Sequence, residues 1–135
     1  MADTEQAHVV STGVVSTKAT IRGFTVTFDK PAAKMGRDEG PMPSEMYLAA
    51  LGSCYMMGFT RIAKVRGVEV SHVEADVVGR FDKGGEFDRL QMNVRVRSPA
   101  TREQLEVIDR LAERSCTVAA LTKLAVERTL EIVRE

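Results

Sequence analysis

Between Met46 and Phe59 the chain reads MYLAALGSCYMMGF, an almost uninterrupted apolar run with one cysteine, Cys54, near its middle. A bilayer span needs about 20 apolar residues, and this run is shorter and is followed by Arg61, Lys64 and Arg66. It therefore predicts a core helix. Its apolar side chains are distributed around the whole helix circumference instead of along one stripe, which is the pattern of a helix enclosed on every side. A chain of 135 residues has difficulty enclosing such a helix alone, because small domains bury a smaller fraction of their surface than large ones. A second copy of the chain is expected to complete the cover, making a homodimer.

The helix limits follow from its ends. Pro43 suits a first turn, Ser44 and Glu45 place polar groups at the positive end of the helix dipole, and Arg61, Lys64 and Arg66 lie toward the negative end before Gly67. The helix is thus expected from about Pro43 to Arg66. Before it, His8 to Lys18 and Thr20 to Phe28 are rich in Val, Thr and Phe and read as strands, followed by a turn-rich loop from Pro31 to Pro43. After it, the Val-rich runs Val68 to Phe81 and Phe87 to Val96 flank Asp82-Lys83-Gly84-Gly85-Glu86 and predict an antiparallel hairpin. Ser98 followed by Pro99, and Thr101 followed three residues later by Gln104, both offer helix starts ahead of Leu105, Ile108, Leu111 and Ala112 at helical spacing, so a second helix runs to about Arg114. Cys116 opens a short helical stretch to about Leu124, and Val126, Leu130 and Ile132 alternate with Glu127, Thr129 and Glu131 in a closing strand. The whole order is strands, helix, two strands, helix, strand, and the length argues for a single domain, residues 1–135.

Charge narrows the function. Lys and Arg together number 19, as do Asp and Glu, so neither nucleic acid nor an anionic membrane is the expected partner. The N-terminal MADTEQAHVV has no basic segment leading into an apolar one, so nothing directs export and a cytoplasmic protein is expected. In that compartment its two cysteines are reduced, catalytic or redox-cycling rather than a structural staple. His8 and His72 stand alone, without a clustered carboxylate, and make no metal site. Gly84-Gly85 belongs to a hairpin turn and not to a phosphate loop, and no dinucleotide fingerprint is present. No cofactor is called for, so any electrons must come from a small or protein-borne thiol.

GPMPSEMYLAALGSC from Gly40 to Cys54, RGVEV leading into a Val-rich strand, and Cys116 following LAERS together resemble the OsmC/Ohr family, most closely its OsmC-like branch. The resemblance extends from Lys18 to Val133. It implies an α+β fold in which antiparallel sheets wrap around central helices in an intertwined homodimer, and a thiol-dependent peroxidase activity on organic hydroperoxides. By the same resemblance Cys54 is the peroxidatic residue, converted to a sulfenic acid, and Cys116 the resolving residue that forms a disulfide with it. In this chain Cys116 is followed by Thr117-Val118 where the family usually has Cys-Pro, and the helix-start Glu aligns with Ser44, leaving Glu45 one residue later.

Cys54 lies too deep in its helix for the dipole to lower its pKa, since that effect fades beyond the first turn, and an apolar site raises a thiol's pKa. A guanidinium is therefore expected beside it. Arg37, in the loop before the helix, is the first candidate and Arg22 the next, with Glu45 able to orient the arginine through a bidentate pair. Met46, Met56 and Met57 with Tyr47, Tyr55 and Phe59 either pack the core or line an apolar approach for a lipid-like peroxide. Two other functions fit the same residues. One is a non-catalytic binder of a hydrophobic small molecule with Cys54 as a wall residue; the other is a redox sensor whose disulfide changes the dimer's shape.

Overall fold

The computed structural model describes residues 3–122 and 124–134; Met1, Ala2, Lys123 and Glu135 lie outside the description. The chain forms two compact units, residues 1–47 and residues 48–135.

In the first unit, β1 (His8–Ser11), β2 (Thr17–Ile21) and β3 (Phe24–Phe28) form an antiparallel sheet in the order β1-β2-β3. The expected strand from Thr20 to Phe28 is in fact two strands. Arg22, with a left-handed φ of 57°, and Gly23 form a two-residue turn, so that Ile21 pairs with Phe24. A 3₁₀ turn, Ala32–Lys34, follows within the predicted loop. Asp29, buried at the end of β3, organises that loop. Its Oδ1 accepts the Lys30 N–H at 2.7 Å, and its Oδ2 accepts the N–H groups of Arg37 at 3.2 Å and Glu39 at 3.3 Å. Lys30 first, and then Glu39 and Arg37, stabilise the ionised carboxylate and hold it below its usual pKa.

Helix α1 (Pro43–Val65) begins in the first unit and continues into the second. It ends in a Schellman motif: Gly67 takes φ 69°, its N–H reaches the Lys64 carbonyl, and the Val68 N–H reaches the Ala63 carbonyl. Within the second unit, β4 (His72–Phe81) and β5 (Phe87–Arg97) form the expected antiparallel hairpin. Helix α2 (Arg102–Arg114) starts at the Thr101 and Gln104 capping box, with both reciprocal hydrogen bonds formed. The short helix α3 (Thr117–Ala120) has Cys116 as its N-cap, and β6 (Val126–Val133) closes the sheet in the order β4-β5-β6. β6 runs parallel to β5, because α2 and α3 carry the chain back to the starting end of the sheet.

Burial in the second unit follows from these periods. On β5, Leu90, Met92, Val94 and Val96 are buried at alternate positions, and α2 contributes Leu105, Ile108 and Ala112. On α1 the buried residues are Leu51, Gly52, Tyr55, Phe59 and Ala63, a stripe at intervals of four, while Met57 and Val65 are 71% and 78% exposed. Each fully buried aliphatic or aromatic side chain contributes about 1.5–3 kcal/mol of transfer free energy. The all-round apolar character of α1 therefore resolves, within one chain, into one buried stripe and one apolar face in solvent. Close approaches fix the helix in place. A Cβ at Gly52 would stand 2.8 Å from Val77 Cγ2 of β4, and one at Gly58 would already touch Ser115 Oγ at 3.4 Å.

Candidate functional site

Cys54 and Gly58 lie one helical turn apart on α1, and Gly58 faces the segment that follows α2. That segment carries Ser115 and then Cys116. The fold therefore brings the two cysteines together: both are free thiols, and the Cys116 side chain makes a hydrogen bond to Cys54. Cys116 is 4% exposed, and Cys54 is part-exposed.

The two thiols have opposite electrostatics. Burial pushes the Cys54 pKa up, but the Val118 N–H, the Cys116 thiol and the Thr117 N–H together outweigh it, leaving Cys54 below its ordinary value. For Cys116 burial dominates, and the adjacent negative charge of Cys54 adds to it, so its pKa is raised. Of the two thiols, Cys54 is therefore the more readily ionised, and Cys116 holds its proton to higher pH. Such a pair has a nucleophile and its proton-bearing partner in contact.

The sequence reasoning called for a guanidinium to lower the Cys54 pKa. In the structure, backbone N–H groups at the start of α3 and the second thiol lower it. The dipole argument considered only the helix that carries Cys54. The signal for another helix start was present at Cys116, but nothing in the sequence periodicity aims that start at Cys54. Arg37 has its guanidinium 3.3 Å from Glu39, with its side chain 70% exposed. Glu45 Oε1 accepts the Met42 N–H at 2.8 Å, closing the first turn of α1. Arg22 lies over the Phe24 ring at 5.0 Å. Of the apolar candidates, Tyr55 and Phe59 are core residues with ring centroids 6.0 Å apart, whereas Met57 is exposed.

A polar cluster that the sequence analysis did not single out lies on the inner side of α1. The Tyr55 hydroxyl donates to Asp109 Oδ1 at 2.5 Å. Arg128 grips the same carboxylate with both Nε and Nη2 at 3.0 Å, and its Nη2 is also 2.8 Å from Glu113 Oε2. Burial, followed by the Asp109 charge, pushes the Tyr55 pKa far up. Burial also disfavours the Asp109 carboxylate, but Arg128 and Tyr55 outweigh it and its pKa is lowered. Arg128 shares the parity of Val126, Leu130 and Ile132 on β6 and so occupies an inward register, opposite the buried Met92. That parity was the available signal.

A groove of about 440 Å³ is lined by Glu113, Arg114, Cys116, Ala119, Leu124 and Val126. Among the described residues no helix is long and apolar enough to cross a membrane.

With this geometry in hand, comparison with known proteins identifies the class. The family described as OsmC-like protein matches residues 36–131, a stretch that includes both cysteines, and the chain belongs to that family. No curated protein sequence matches it. Among solved structures, an OsmC-like protein from Mycoplasma pneumoniae is similar with a TM-score of 0.87 at 15% identity, covering 98% of this chain and 99% of that one. An OsmC-like protein of unknown function from Vibrio cholerae gives 0.82 at 20% identity, over 96% and 99%. The organic hydroperoxide resistance protein OhrB of Bacillus subtilis gives 0.65 at 21% identity, over 95% and 98%. At these identities the structural likeness concerns the fold.

Proposed function

We propose that this protein is a cysteine-based peroxidase that reduces organic hydroperoxides, working as an intertwined homodimer in which residues 1–135 act as one domain. The observation that carries this reading is the contact between a part-exposed Cys54 of lowered pKa and a buried Cys116 of raised pKa. Family membership, and relatives named for organic hydroperoxide resistance, add support.

The Cys54 thiolate attacks the distal oxygen of ROOH, the O–O bond breaks, and the alkoxide leaves as ROH after taking a proton. Cys54 is then a sulfenic acid. The Cys116 thiol condenses with it, forming the S–S bond and releasing water. An external dithiol, small or protein-borne, returns the pair to two thiols through a mixed disulfide and is itself oxidised. No metal or organic cofactor enters this cycle. Arg37 is proposed to hold the peroxide end of the substrate, with Glu45 orienting it, because a guanidinium stabilises the charge that develops on the leaving oxygen. Free thiols in both positions suit a reducing compartment, and we place the protein in the cytoplasm.

The test is consumption of an alkyl hydroperoxide with excess dithiol, wild type beside Cys54→Ser, with intact mass recorded after one equivalent of peroxide. Turnover by wild type, its loss in the variant, and a loss of two hydrogens in the oxidised protein are expected. Full turnover by Cys54→Ser, or no mass change in wild type, overturns the proposal.

A further inference from the structure

Arg128 presents a problem of energetics. It stands at an inward position of β6, in register with Met92, which is 1% exposed, and its own side chain is only 14% exposed. Desolvating a guanidinium and a carboxylate together is costly, and an apolar side chain of similar volume in such a place is often neutral or more stable. Stability is therefore a weak reason for the cluster to exist. Its connectivity suggests another role, because its members come from three elements around the cysteine pair, α1, α2 and β6.

Tyr55 is the residue after Cys54 on α1. Asp109 and Glu113 are one turn apart on α2, near the end from which the chain passes through Ser115 to Cys116. Arg128 binds both carboxylates and so holds the C-terminal half of α2 against β6, while Tyr55 ties the same Asp109 to α1. Gly58 allows the close contact between α1 and the Ala112–Ser115 turn. Bidentate geometry fixes both direction and distance, which a lysine's point charge does not.

We propose that Arg128, through Asp109, Glu113 and Tyr55, is a positioning residue that sets Cys116 against Cys54. This deepens the cysteine-pair reading above and rests on it, but the geometry it predicts can be measured without any peroxide. Displacing one reacting group by about an ångström costs up to about 100-fold in an intramolecular reaction.

The experiment is disulfide exchange of the full-length protein with a glutathione redox buffer, which gives the effective concentration of one thiol at the other. Absorbance of the Cys54 thiolate is recorded against pH in parallel. The triple variant Tyr55→Phe/Asp109→Leu/Arg128→Met removes the buried charges together, so none is left unpaired. We expect it to melt within a few degrees of wild type, to lose about 10- to 100-fold in effective concentration, and to titrate Cys54 at higher pH. Arg128→Lys, which keeps the charge but not the fork, should lose several-fold. A folded triple variant with an unchanged exchange constant and thiolate titration overturns the proposal; should the triple variant fail to fold, an unchanged constant in Arg128→Lys does so. If wild type consumes no hydroperoxide while these exchange constants still fall in the variants, the peroxidase reading fails and the positioning role stands.

Discussion

In residues 3–47 the buried side chains are Ser16, Ala19 and Asp29, whereas residues 48–134 enclose Leu51, Tyr55, Phe59, four residues of β5 and three of α2. The first unit also leaves apolar strand residues in solvent, with Val9 58%, Val10 48% and Phe24 61% exposed. A three-stranded sheet needs a covered hydrophobic face to be stable by itself. The second unit has a core of its own and carries both cysteines. The contrast separates a unit that has its own core and both cysteines from a sheet with exposed apolar residues, and it is a physical motive for the homodimer proposed above.

The sharpest way to break this comparison is to remove the thiolate. Cys54→Ser is expected to abolish hydroperoxide turnover entirely, while Cys116→Ser should react once and then stall, with excess peroxide driving Cys54 to sulfinic acid by mass spectrometry. Sustained turnover in either variant would falsify the division of labour between the two thiols.

The next effect concerns the two cores. Phe59→Ala should cost about 3–5 kcal/mol in chemical denaturation at any protein concentration, because it opens a cavity in a fully buried site. Phe24→Ala should cost less, and its cost should grow as the protein is diluted, since what covers Phe24 is expected to be the second copy. Sedimentation of wild type should show no folded monomer at micromolar concentration. A well-folded monomer with a native circular dichroism spectrum would mean that the first unit needs no partner.

A smaller effect tests whether the first unit takes part in the chemistry. Arg37→Ala should lower the peroxide rate by about 100-fold if its guanidinium stabilises the leaving oxygen, and should leave the Cys54 titration nearly unchanged. An unaltered rate would confine the chemistry to the second unit.

The last expectation is a shift in a titration. Because the folded pKa of Cys54 is lowered, its alkylation by iodoacetamide should stay fast below the midpoint of an ordinary thiol, near 8.5, and fall off only as the pH drops through the depressed value. Cys116, with its pKa raised, should react only at higher pH. A single shared midpoint at the ordinary value would remove the asymmetry on which the mechanism depends.

Much of the fold was legible because it is encoded locally. The capping box at Thr101 and Gln104, the glycine turn between β4 and β5, and the start of α1 at Pro43 all fall where neighbouring residues dictate them. The turn at Arg22 and Gly23 had a signal in Gly23, a turn residue, but the β-prone residues on either side run together as one strand pattern. The parallel entry of β6 was missed because alternation of side chains is the same for either strand direction. At the candidate site, the pairing of Cys54 with Cys116 came from family resemblance, and no spacing in the sequence would have supplied it.

The sequence by itself determined where the helices and most of the strands lie, and that one thiol sits within an apolar helix, since each depends on contacts within a few residues. Only the tertiary structure decided what surrounds that thiol. The N–H groups of Thr117 and Val118, the Cys116 thiol, and the Tyr55–Asp109–Arg128 cluster meet from segments far apart in the chain. A pKa or an ion pair depends on distance in space, and the packing of α1 against α2, α3 and the sheet sets those distances.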